Sequence, residues 1–304
     1  MLLQTFHDFS RQAMSPTAAI ALHASIAAFI VAAVTALAAL LQPAKVRMRW
    51  ADWAGAVGTG ALLAYFVARF ISAGTEPLQN MFDVVTLSAL FLALIYFVAT
   101  RVRKLPAIGA FAYPAIAIIF LVNFMLAGTV TAGSDTPLGS PLLVVHIVLT
   151  ILAYGVFFMA TVAAVMFLLQ ERMLKKHKDP AFMRSFPPLE SLRRLVNGCI
   201  LIGLPMLTVG FALGFVSFSA EDWENILHNP KVITSLVLWL VLLAAFIGRR
   251  AGLLHGRRHY YMVLVGFALV LTTYVGLGVV EARNRQQTAD SSHLERDDNP
   301  CSGL

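Results

Sequence analysis

LLVVHIVLTILAYGVFFMATVAAVMFL, residues 142–168, holds no Asp, Glu, Lys or Arg. As an α-helix rising ~1.5 Å per residue it reaches ~40 Å, more than the ~30 Å hydrocarbon core of a bilayer. A helix that long and apolar on every side is solvated by lipid. Outward from it, similar runs recur at 17–41, 52–73, 81–100, 106–127, 195–218, 231–248 and 260–281, with Pro, Gly and charge gathered between them. Hydrophobic residues are 59% of the chain and charged ones 13%, where soluble domains carry about a quarter charged. The sequence therefore predicts an all-α polytopic membrane helix bundle of about eight transmembrane helices. Residues 1–281 form one transmembrane domain. Residues 282–304, polar and without apolar period, read as a disordered external tail.

Orientation follows from Lys and Arg, which short loops retain on the cytoplasmic side. Lys45, Arg47 and Arg49 follow the first run; Arg101, Arg103 and Lys104 follow the third. Seven basic residues from Arg172 to Arg194 follow the fifth, and Arg249, Arg250, Arg257 and Arg258 the seventh. The alternate loops, 74–80, 128–141 and 219–230, carry Glu76, Asp135, Glu221, Asp222 and Glu224 and no Lys or Arg. Both termini are thus expected on the external side of a multi-pass protein of the cell's inner membrane. The net charge of +7 is divided among loops on one face, so topology and lipid explain it better than a nucleic-acid partner. "ERMLKKHKD" (171–179) is expected to extend the fifth helix as a basic segment until "FPP" (186–188) stops it. Ser15 and Pro16 read as N-cap and first-turn residue of the first helix.

Much chemistry is excluded. Cys199 lies within a span and Cys301 in the tail, and no Cys-x-x-Cys occurs, which removes a thiol-disulfide relay and covalent haem attachment. Gly55, Gly58 and Gly60 sit inside an apolar run and follow no strand, so they mark close helix packing rather than a nucleotide loop. Ionisable residues inside the spans are few, and the exceptions are expected near the outer face. Arg69 ends the second span and Asp83 begins the third; an ion pair fixing that hairpin is the expected arrangement.

His177, His255 and His259 fall in basic cytoplasmic segments and His7 and His293 in the terminal segments, so all five are expected on the surface. His23 and His146 each lie inside an apolar run, ~6–9 Å from its outer end, and could share one site. His146, Thr150 and Tyr154 recur every four residues, a polar stripe that should face protein. Two readings of His146 stand together: a hydrogen bond to a neighbouring helix, or neutral imidazole ligation of haem iron.

At these residues the chain resembles the haem-handling cytochrome c assembly proteins of the CcsA and HemX type, from the third span through the eighth. "PLQNMFD" (77–83) is similar to the family's Pro-Leu-x-Asn-x-Tyr-Glu start of a span. "VVHIVLTILAYG" (144–155) resembles its histidine-bearing helix, and "IGLPMLTVGFALG" (202–214) the span before its external haem loop. In the CcsA branch that loop is tryptophan-rich and ends in Trp-Asp-Pro-Lys. Here "SAEDWENILHNPKVITSLVLWL" (219–240) keeps Pro230, Lys231 and Trp239, with His228 and Asn229 in place of tryptophan and aspartate and Trp223 as its loop aromatic. Gly248 and Arg249, and "YVGLGVVEA" (274–282), stand where the family has further histidines. The chain is thus more similar to the HemX-like branch, which keeps the scaffold and lacks the tryptophan-rich loop.

The resemblance implies a membrane protein that binds or positions haem b at the outer leaflet and assists cytochrome c-type biogenesis beside other assembly membrane proteins. It implies no catalysed bond change, so no enzyme. His146 is the expected iron ligand, with His23 as second ligand and His228 as the alternative. Trp223, Arg69 and Lys231 would line the group, the last two as propionate donors. Two other classes stay open: an accessory or regulatory subunit of haem-precursor or ion handling without haem, and a small-molecule transporter using Pro114 and Pro205 to break helices.

Overall fold

The computed structural model describes residues 15–42, 46–73, 81–103, 105–127, 141–175, 186–217, 230–253 and 256–272. Among these residues all regular structure is helical: α1 (Pro16–Leu41), α2 (Met48–Ala73), α3 (Met81–Arg103), a 3₁₀ turn (Pro106–Ile108), α4 (Gly109–Ala127), α5 (Pro141–Lys175), α6 (Leu189–Val216), α7 (Pro230–Arg250) and α8 (Arg257–Leu271). The protein is a multi-pass membrane helix bundle. Six of the helices are long and apolar enough to cross a bilayer, α4 has a shorter apolar stretch, and α8 is described over 15 residues. The expected tail, 282–304, lies outside the described residues.

Local chemistry sets the helix ends. Ser15 Oγ accepts the Ala18 N–H at 3.4 Å and Pro16 opens α1, as the cap reading requires. Gly252 (φ 70°) and Gly256 (φ 60°) take left-handed backbone in the short α7–α8 connection, where a side chain would be strained. α5 continues into the basic segment as far as Lys175; the rest of that segment, 176–185, lies outside the described residues.

The spans pack as two groups. α1 to α4 close on one another as α1–α2–α3–α4, and α5 to α8 as α5–α6–α7–α8, with α3 against α5 joining the groups. α1 shows the inside-out logic of a lipid-solvated helix. Leu22, Phe29 and Ala36 are buried at helical spacing, whereas Ile20 and Val34, 70% and 63% exposed, face outward. α2 brings Trp50 and Trp53 to its start, both exposed beside Arg47 and Arg49, an interfacial aromatic belt at the basic end of the bundle.

Small residues set the close approaches. Gly58 lies under the Phe29 ring and Gly155 of α5 under Ile95 of α3. The α5–α6 contact repeats this three times: Gly203 receives Phe157, Gly210 receives Thr150 and Gly214 receives His146. The numbers in each pair have one constant sum, the mark of an antiparallel register. Glycines at that spacing share one face of α6, so α5 lies down a groove without side chains.

Candidate functional site

His146 sits one and a half turns into α5, at the end of the bundle opposite the basic residues. Its ring is half-buried, and Nδ1 lies 2.5 Å from the Gly210 carbonyl oxygen of α6. That carbonyl can only accept, so Nδ1 carries the proton and donates. In the neutral ring the remaining nitrogen, Nε2, then holds a lone pair, the tautomer of a metal-binding imidazole. Gly214 forms the floor beneath the ring; a Cβ there would lie 2.7 Å from Cε1.

The polar stripe faces protein throughout. Thr150 lies over Gly210, and Tyr154 hydrogen-bonds Ser235 of α7. Trp239 Nε1 donates to Thr208 Oγ1 at 2.9 Å, tying α7 to α6 on the same side.

Arg69 and Asp83 form the expected ion pair, Nη2 to Oδ2 at 2.9 Å, with Asp83 1% exposed. Tyr65 Oη donates to the other carboxylate oxygen at 2.7 Å. Asn123 of α4 donates to the Phe82 carbonyl and to Thr86 Oγ1, at 3.2 and 2.8 Å. The ends of α2 and α4 are thereby tied to the first turn of α3, the stretch that resembles a family motif.

The other expected residues fall differently. His23 does not meet His146: it is exposed on α1, its Nδ1 2.6 Å from the Ala19 carbonyl oxygen, and α1 packs against α2 and α4 while His146 lies on α6. They stand on helices of the two different groups. Lys231 belongs to the first turn of α7. His228 and Trp223 lie outside the described residues. Among the described residues no group of three or more His, Cys, Asp or Glu gathers.

Two features escaped the sequence reading. Asp52, at the basic end, accepts from Tyr96 at 2.7 Å and Tyr113 at 3.1 Å, so a carboxylate–tyrosine knot joins α2, α3 and α4 there too. Its only signal was a lone acid beside a glycine-rich apolar run. His259, expected on the surface, is 1% exposed in the first turn of α8, because its neighbours Arg257 and Arg258 take the outward positions.

Comparison with known proteins agrees with this architecture. The family model described as Cytochrome C assembly protein matches residues 78–282. The chain therefore belongs to the cytochrome c assembly protein family. It is 28% identical over 178 residues to Protein HemX of Brevibacillus brevis, covering 57% of this chain and 63% of that one. It is 29% identical over 236 residues to Cytochrome c biogenesis protein CcsA of Guillardia theta, covering 69% and 75%. Inner membrane protein YpjD of Escherichia coli K12 is 29% identical over 189 residues, covering 60% and 67%. The match thus spans just under two thirds of the HemX chain. No solved structure matches.

Proposed function

We propose that this protein holds or positions haem b at the external face of the cell's inner membrane and assists cytochrome c-type biogenesis with other assembly membrane proteins. The observation that carries the reading is His146: Nδ1 donates to the Gly210 carbonyl, which leaves Nε2 in the form that binds iron. His146 has the chemistry to hold the group. His146 is the ligand, and Lys231 and Arg69 are candidates for the propionates. His228 rather than the outward-facing His23 is the candidate second ligand, and Trp223 the loop aromatic. Bound haem would supply the redox-active iron and the porphyrin to be handed on. The chain's own part is to orient the imidazole and exclude water, with no bond change of its own.

An absorption spectrum of protein purified in detergent after expression with added haem tests this. His146→Ala should lose the haem band or shift it, and His23→Ala should leave it unchanged. An identical spectrum and occupancy in His146→Ala would overturn the ligand. A second reading, an accessory scaffold without haem, is favoured by the tight seat of the same ring on Gly214, which is good packing whether or not iron is present. Wild-type protein that purifies colourless under these conditions selects that reading.

A further inference from the structure

At the basic end, α6, α7 and α8 enclose a cavity of about 590 Å³. Arg194 and Asn197 of α6, Arg249 and Arg250 of α7, and His259 of α8 line it, and among the described residues none of its lining is acidic. Arg194 is bonded to Glu190 at 3.0 Å. Among the described residues neither Arg249 nor Arg250 has a carboxylate partner, and the Arg250 guanidinium instead lies 5.5 Å over the Phe246 ring. The independent observation is His259. It is 1% exposed, it lines the cavity, and neither ring nitrogen has a hydrogen-bond partner among the described residues. A buried imidazole left without partners is costly unless something completes it.

The missing partner is an anion with several acceptor oxygens. Guanidinium groups suit phosphate because their planar forks bind two oxygens at once, and Asn197 and His259 can each add an N–H donor. The rim decides between a free anion and a lipid. Leu201, 51% exposed, lines the same cavity with Phe246, and Ile202 beside Leu201 is 58% exposed, so the mouth opens onto apolar surface suited to acyl chains. Basic pockets between membrane helices are where anionic headgroups settle. We propose that this cavity holds the phosphate of an anionic phospholipid, seated on Arg249, Arg250 and His259 with its chains along α6.

Native mass spectrometry of the full-length protein, released from nanodiscs of equal phosphatidylglycerol and phosphatidylcholine, tests this. Wild type should retain phosphatidylglycerol over phosphatidylcholine by roughly tenfold, as expected for a few basic residues acting on one headgroup. R249Q/R250Q should bring the ratio near one, and H259N should lower it. R47Q/R101Q, which removes the same charge from the other helix group, should leave the ratio as in wild type. Retention unchanged in R249Q/R250Q, or lost equally in R47Q/R101Q, overturns the site. Displacement of the lipid by millimolar inorganic phosphate, with phosphate retained in its place, overturns the lipid as its occupant.

Discussion

Gly55 and Gly60 lie on one helix five residues apart, and their surroundings demand opposite outcomes from the same substitution. A Cβ at Gly55 would collide with the ring and hydroxyl of Tyr113, while at Gly60 nothing lies within 4 Å. Tyr113 cannot yield freely, because its hydroxyl is bonded to Asp52 and its ring packs edge-on against Tyr96, centroids 4.9 Å apart. Gly55→Ala should therefore cost about 1–3 kcal/mol, the usual range for overpacking. Gly60→Ala should be neutral or stabilising by up to ~1 kcal/mol, since alanine is the better helix former. Thermal midpoints in detergent check both, and equal midpoints would show that Tyr113 moves aside. Close packing was legible at Gly55 and Gly58 and failed at Gly60, which faces outward, whereas the direction of the His146 stripe was legible because period four on an apolar helix leaves one option. What sequence could not show was phase against a particular neighbour. His23 and His146 were expected at one depth yet face different surroundings, and His259 turns inward beside the outward Arg257 and Arg258.

The extension of α5 beyond the membrane is held by charge. Glu171 Oε2 accepts from Arg257 Nε of α8 at 2.9 Å, and Oε1 pairs with Lys175 at 3.3 Å. The hydrogen bond from Arg257 chiefly, with Lys175 adding to it, holds the Glu171 carboxyl below its ordinary 4.5. A lowered folded value means the pair stabilises fully above about pH 4.5 and loses that contribution as pH falls through the lowered value. The contribution is ~1 kcal/mol at most, because the pair is partly exposed. Glu171→Gln should melt slightly below wild type at pH 7, and the gap should close at acid pH; a gap that persists unchanged there would locate the effect elsewhere. Helix boundaries show the same division between apolar and charged ends. Apolar runs placed the starts of α2 and α6 at 52 and 195, whereas the helices begin at Met48 and Leu189. Their first two turns hold Arg49 and the Glu190–Arg193–Arg194 cluster, which are helical without being apolar. Hydrophobicity marks the membrane slab, and capping and charge pairs mark the helix.

At the scale of the whole molecule, the eight helices of the described residues were legible from length and composition, while the closure of α1–α4 and α5–α8 into two groups was not. Lipid-solvated helices are apolar on all sides, so no stripe announces which neighbour each will take; small residues and a few polar knots decide it. Those knots also define two ends. Asp52 joins α2, α3 and α4 at one, together with Glu171–Arg257; at the other, Asp83 joins α2 to α3, and Asn123 ties α4 to Phe82 and Thr86 of α3. The end with Asp52 also carries Arg47, Arg49, Arg101, Arg249 and Arg250 and the exposed Trp50 and Trp53, whereas the loops at the other end hold acids and no Lys or Arg. Positive charge in short loops is retained in the cytoplasm, so the His146 end should face outward. Cysteine labelling measures this directly, because the chain's own cysteines are Cys301 and the buried Cys199. A maleimide that cannot cross membranes should label Cys301 in cells whose inner membrane is intact. It should fail to label a cysteine placed at Ser185 until that membrane is permeabilised. The opposite pattern would invert the bundle, put His146 on the cytoplasmic side, and remove the external haem site from the proposed function while leaving every helix contact as it stands.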